Sequence, residues 1–194
     1  MKEKGGASIY HLPMIPVMTW EREFDEALVF LASCLSKRRK TGKKPVVVHS
    51  LRVAYRLAET GYGRPVILAG LLHDLMEKTK VSKTQITRRF GRQVTDLVVA
   101  VTNDSRIKDP LRRYEDSVGR CFEVGPEALA VRIADLSDNI DRLLALEEVD
   151  RFHRLELKSR VLLTACTQMG MKGQDLRGLR VRLQRLLRTR RVYE

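Results

Sequence analysis

Wherever apolar residues recur along this chain, they recur at helical spacing. Between residues 20 and 37 they fall at Phe24, Leu28, Leu31 and Leu35, steps of four, three and four that line one helix face. Residues 46–60 predict a second helix stopping at Gly61; the opening Val46-Val47-Val48 suits a strand, but no alternating partner follows. Punctuation supports more helices. Pro65, Pro110 and Pro126 stand where a first turn can start, with Asp109 and Gly125 as caps before two of them. Ser82 with Gln85 makes a capping box that opens a short helix ending at Gly91. Segments 92–102, 111–122, 126–148, 151–168 and 175–191 complete the set, without an internal repeat. The pattern predicts an all-α bundle with short loops. A loose arm over residues 1–18 precedes it, holding Gly5, Gly6, Pro13 and Pro16 and no sustained period.

Size and composition narrow the class. A chain of 194 residues fits one domain with a sizeable core. With 43% hydrophobic and 31% charged residues it is too apolar for disorder. Cys34, Cys121 and Cys166 are odd in number and dispersed, which argues against a disulfide framework or a thiolate zinc site and for a reducing cytoplasm. No apolar run approaches the roughly 18–20 residues of a membrane span. The segment after Lys2 and Lys4 is broken by Pro13 and Pro16, a poor signal-peptide core, so a cytoplasmic protein with no membrane partner is expected.

A formal charge of +13 calls for an anionic partner without choosing between a nucleotide, a nucleic acid and an acidic protein. The charge concentrates at residues 37–44, just before His49, and in the tail 171–194, where eight Lys or Arg face only Asp175 and Glu194. In that tail Leu176, Leu179, Val181, Leu183, Leu186 and Leu187 predict a helix packed by its apolar side with arginines outward. Binding of RNA by this tail ranks below that packing role. The expected organisation is the arm 1–18, a domain over 19–170 and a basic amphipathic helix, 171–194, packed on it.

The segment LLHDLMEKT, residues 71–79, carries the strongest local chemistry. On one helix, His73 and Asp74 point about 100° apart, and Glu77 sits one turn further along the same side. Such groups on an apolar segment are costly to bury unpaired, and a metal offsets that cost. Taken alone, the pair reads better as a satisfied core histidine beside a capping or salt-bridging aspartate. Two further groups change the balance. His49 lies in a helix that antiparallel packing lays against the first, and Asp135 is a carboxylate within a stripe of Leu129, Val131, Ile133 and Leu136. Two imidazoles and two carboxylates suit Mn²⁺, Fe²⁺ or Zn²⁺ with positions left for water and phosphate. Glu77 is then placed to hold or deprotonate the water.

The order H…HD…D resembles the signature of the HD superfamily, and four blocks resemble the hydrolase domain of the RelA/SpoT alarmone enzymes in particular. These are Arg39-Lys40-Thr41-Gly42 before His49; residues 71–79; FGRQVTDLVVAVT, residues 90–102; and VRIADLSDNI, residues 131–140. The resemblance covers roughly residues 24–165. It implies an HD-domain bundle of about eight to ten helices and a manganese-dependent removal of the 3′-pyrophosphate from guanosine tetra- and pentaphosphate. It further implies His49, His73, Asp74 and Asp135 as metal ligands and Glu77 as the residue working on water. Asn139 would contact the sugar and Arg39 or Lys40 the purine, with Lys43 and Arg142 as further substrate-binding residues. The expected partner is thus a small phosphorylated nucleotide, and a homodimer is allowed. The chain is too short for the synthetase and regulatory domains of the long alarmone enzymes, so a stand-alone hydrolase is expected.

Two positions depart from the family pattern. Lys78 stands where a second acidic residue follows the catalytic glutamate, which makes Lys78 a further catalytic-site residue and opens other outcomes. These are slowed alarmone hydrolysis, a shifted substrate such as a nucleoside monophosphate or NADPH, or a module that binds nucleotide or RNA and hardly turns over. Ser50 replaces the proline usual after the first ligand and bears on helix geometry.

Overall fold

The computed structural model describes residues 20–36, 45–146 and 151–193, the last three of these by backbone alone. The arm 1–18 and the basic stretch 37–44, with Arg39, Lys40 and Lys43, lie outside the described residues. Among the described residues the structure is all-α, with no strand. Its helices are α1 (Glu21–Ser36), α2 (Val46–Glu59), α3 (Arg64–Leu72), α4 (Leu75–Lys78), α5 (Lys83–Phe90), α6 (Arg92–Val101), α7 (Pro110–Val124), α8 (Pro126–Leu146), α9 (Phe152–Gln168) and α10 (Gln174–Tyr193).

Local chemistry sets most of these ends. Ser82 and Gln85 form the reciprocal capping box of α5, and Asp109 caps α7 by accepting from the Arg112 amide at 2.7 Å. Gly125, at φ 126°, ends α7, and Pro126 starts α8 directly after it; the positive φ is one that a side chain would resist.

Helix α8 is the axis of the bundle: α2, α3, α6, α7, α9 and α10 all pack on it. Twelve of its residues are buried, including the continuous run from Ala128 to Ala134, as expected of a helix enclosed on every side. Helix α3 is buried from Val66 to Leu72 and lies against α2. The two approach closely because Gly70 has no side chain; a Cβ there would meet Leu57 Cδ1 at 2.5 Å and the Ala54 Cα at 3.5 Å. The short connection through Gly61 makes them antiparallel, so the first turn of α2 meets the end of α3.

The structure corrects two readings. His73, Asp74 and Glu77 do not share one continuous helix: α3 stops at Leu72, His73 and Asp74 form a turn, and Glu77 lies on the single turn of α4. Part of the reason is that the His73 ring, through Nδ1, takes the Gly70 carbonyl at 2.8 Å and so competes for a last-turn acceptor. In α10, Leu176, Leu179, Leu183 and Leu186 are buried against α8 and α9, but Val181 is 55% exposed and lies off that face. Nor do all the arginines of α10 point to solvent, since Arg182 pairs with Asp141 at 2.9 Å and Arg190 with Glu156 at 3.0 Å. Cys121 and Cys166 are buried packing residues, and burial pushes their thiols up to about 11 and about 12.

Candidate metal centre

Three helices bring the chemistry together. His49 comes from the first turn of α2, His73 from the turn closing α3, and Asp135 from the middle of α8. One donor atom from each lies within 4.8 Å of the other two. The Nε2 atoms of His49 and His73 are 3.2 Å apart, and Asp135 Oδ1 stands 3.2 Å from the first and 3.7 Å from the second. Asp74 is at the edge, with Oδ1 3.8 Å from His73 Nε2.

Hydrogen bonding on the far side of each ring decides what these atoms are. His73 Nδ1 faces the Gly70 carbonyl, which can only accept, so that nitrogen carries the proton. His49 Nδ1 is 2.6 Å from Asp138 Oδ2, again an acceptor. Burial works against ionisation of Asp138, but hydrogen bonds from His49 and Arg52 outweigh it and hold the carboxyl down to about 2. With Nδ1 of each ring engaged on its far side, both Nε2 atoms point to one place beside a carboxylate oxygen, where they would turn lone pairs to an ion. The donor set of two imidazoles with one or two carboxylates fits a divalent ion.

The same bonds explain the rigidity of the centre. Asp138 is gripped by Arg52 in a forked pair, Nε to Oδ1 at 2.5 Å and Nη2 to Oδ2 at 3.0 Å. Asn139 turns its amide back on its own helix, donating to Asp135 O at 2.9 Å and to Oδ1 at 2.7 Å, so it orients Asp135. Arg142 lies one turn beyond Asn139 on α8.

Glu77 is held beside the cluster. Its Oε1 accepts from both the backbone amide and the side-chain Nδ2 of Asn103, each at 2.7 Å. Oε2 faces Lys78 Nζ at 3.7 Å, and the same ammonium is 4.0 Å from Asp74 Oδ1. Asn103 Oδ1 in turn accepts from Arg132, which also donates to Asp135 Oδ2 at 3.3 Å and to Ser117. A chain of contacts thus runs Glu77, Asn103, Arg132, Asp135. Glu77 and Lys78 also form one wall of a cleft of about 1250 Å³ bounded by Phe30 and Cys34 of α1 and by Gln85 and Arg89 of α5. His49, His73 and Asp135 do not line it.

Sequence reasoning missed Asp138, Arg52, Asn103 and Arg132. Asp138 carried a usable signal, being a second acidic residue one turn after Asp135 in the same apolar stripe. Arg132, flanked by Val131 and Ile133, carried the same kind of signal with opposite charge. Asn103 follows α6 in an ordinary polar loop and carried none.

Comparison with known proteins agrees with this geometry. The family model described as HD domain matches residues 27–121. A guanosine-3′,5′-bis(diphosphate) 3′-pyrophosphohydrolase of Aquifex aeolicus is 35% identical over 118 residues, 59% of this chain and 17% of its own. A probable enzyme of the same name from Mycoplasma pneumoniae is 31% identical over 136 residues, 63% of this chain and 19% of its own. The chain therefore spans less than a fifth of the length of these curated relatives. Among solved structures, a metazoan ortholog of SpoT that hydrolyses ppGpp superposes with a TM-score of 0.68 at 23% identity, covering 87% of this chain and 95% of that one. With the matched segment holding His49, His73 and Asp74, and α8 supplying Asp135 to the same point, the chain is similar to HD domains and, among the proteins that carry them, to the alarmone pyrophosphohydrolases.

Proposed function

We propose that this protein is a metal-dependent phosphohydrolase that removes the 3′-pyrophosphate from guanosine tetra- or pentaphosphate or a closely related phosphorylated purine nucleotide. The observation that carries the reading is the convergence of two imidazole Nε2 atoms and the Asp135 carboxylate. His49, His73 and Asp135, with Asp74 at the edge, would hold the divalent ion, Mn²⁺ being the first to try. Such an ion, when bound, acidifies water and offsets charge on a phosphoryl oxygen. Glu77 does the proton work: Asn103 fixes Oε1 and leaves Oε2 to take a proton from the attacking water. Asp138 and Gly70 keep the imidazoles in the tautomer that offers Nε2 inward. Asn139 acts by orienting Asp135, so a contact from its amide to the sugar requires that amide to turn. Arg39, Lys40, Lys43 and Arg142 remain the proposed contacts to the nucleotide. Among the described residues no helix is long and apolar enough to cross a membrane, and the cytoplasm is the proposed location.

Lys78 supports a second reading. Its ammonium lies between Asp74 and Glu77, where it competes for the oxygen that would take the proton. This favours either another phosphorylated nucleotide as substrate or a module that binds and turns over slowly. Release of pyrophosphate from guanosine tetraphosphate with Mn²⁺, abolished by chelation, is the expected result. Tight binding without release from a panel of guanine and adenine nucleotides would establish the binding module instead.

A further inference from the structure

Between α7, α8 and α9 lie two cations, and only one is matched by acceptors. Arg132, 3% exposed, donates to Asn103, Ser117 and Asp135. Lys158, from α9, is partly buried and holds its Nζ 4.8 Å from the centre of the Tyr114 ring, which Arg132 approaches at 5.1 Å. Among the described residues no oxygen accepts a hydrogen bond from the Lys158 ammonium, and no carboxylate lies within ion-pair distance of it. Burial pushes its pKa down; attraction to Asp135 and, more weakly, to Glu77 acts against this, while repulsion from Arg132 and Arg154 adds to it. An ammonium has three protons to donate, and a ring face satisfies none of them fully. Beside it, Tyr114 OH and Arg132 Nε are buried without a partner.

Charge indicates what is missing. Asp74, Glu77 and Asp135 supply three negative charges, and Lys78, Arg132 and Lys158 supply three positive ones. Asp138 and Arg52 cancel. Arg154, also close enough to act on Lys158, and a divalent ion add further positive charge, so the site as a whole favours an anionic ligand.

We propose that Lys158 is a substrate-binding residue, its ammonium donating to an oxygen of the phosphate that lies against the metal centre. The ligand class is a dianionic phosphate, whether a terminal phosphate of a nucleotide or the group released from it. The inference rests on the phosphohydrolase reading for the identity of the ligand, while the unmatched ammonium over the Tyr114 ring, beside the Arg132 that holds Asp135, stands without it. Lys78 is the other ammonium at the site, but it is already shared by two carboxylates, so Lys158 is the one that discriminates for charge on the ligand.

The test is a calorimetric titration of inorganic phosphate, at a pH where it is dianionic, into the Mn²⁺-loaded protein, with Mn²⁺ affinity measured separately. Lys158→Gln should weaken phosphate binding tenfold or more and leave Mn²⁺ affinity within twofold; Lys158→Arg should recover part of the loss. If Lys158→Gln does not fold, Lys158→Met keeps the apolar stem over Tyr114 and serves the same comparison. Phosphate affinity within twofold of wild type in the variant, a parallel loss of Mn²⁺ affinity, or no phosphate binding by wild type would each overturn the proposal. Hydrolysis of guanosine tetraphosphate by the wild type is read alongside. If it fails while phosphate binding depends on Lys158, the proposed function falls and this inference stands; if it succeeds while the variant binds phosphate normally, only the inference falls.

Discussion

At the scale of single residues, the centre depends on groups that never touch an ion. Asp138 fixes the tautomer of His49 through a 2.6 Å bond, and Arg52 fixes Asp138. Asp138→Asn keeps the size but removes the charge and lets an amide N–H face the ring, so His49 can present its proton inward. Mn²⁺ affinity should fall about 10–100-fold, measured by competition with a fluorescent chelator. Lys78 acts in the opposite sense. Lys78→Asp removes the cation 3.7 Å from Glu77 Oε2, and pyrophosphate release from guanosine tetraphosphate should rise. An unchanged rate would show that the ammonium does not limit proton transfer. The residues legible in the sequence were those out of place in their own stripe, imidazoles and carboxylates among Val, Leu and Ala. Asp138 has that same mark, one turn after Asp135. Lys158 could not be read at all, because its only anomaly, a partly buried ammonium over the Tyr114 ring with no acceptor among the described residues, exists in three dimensions alone.

At the scale of elements, the close crossing of α2 and α3 matters most, because it sets the distance between His49 and His73. Gly70→Ala puts a methyl group against Leu57 and the Ala54 backbone, and Leu57 is fully packed with no easy retreat. The helices must separate by a few tenths of an ångström or more. Overpacking of this kind costs about 1–3 kcal/mol. Urea unfolding should show that loss, and Mn²⁺ affinity should fall with it, since the two imidazoles ride on the two helices. If stability drops while affinity holds, the crossing does not set the site. Most helix limits were legible because they are written in local chemistry: the Ser82–Gln85 box, the Asp109 cap, Gly91 and Gly125. The break at His73-Asp74 was not, since neither residue is a helix breaker by type and the apolar period runs on through Leu75. It arises from a side chain that competes for a backbone carbonyl and from the needs of the site.

At the scale of the whole molecule, the centre ties together pieces far apart in the chain. His49 and His73 are 24 residues apart, while Asp135 stands 62 residues beyond His73, on the helix around which six others pack. An ion held by all three bonds α2 and the end of α3 to that axis, so binding is coupled to the folded state as a whole and not to one loop. In the unfolded chain these groups are dispersed, and the ion binds the native form preferentially. Linkage then sets the size of the effect, about 2.7 kcal/mol when free Mn²⁺ is 100 times its dissociation constant. For a chain of this length each kcal/mol moves the midpoint by about 2–4 °C, so saturation should raise Tm by about 5–10 °C. Calorimetric scans with Mn²⁺ and with EDTA measure it. Replacing Asp135 by Ala should abolish the shift without removing either imidazole, because it cuts the link to α8 and leaves only the α2–α3 pair. A shift that survives in Asp135→Ala would mean that the ion is held by the two histidines and Asp74 alone, and that the axis helix contributes packing but no ligand.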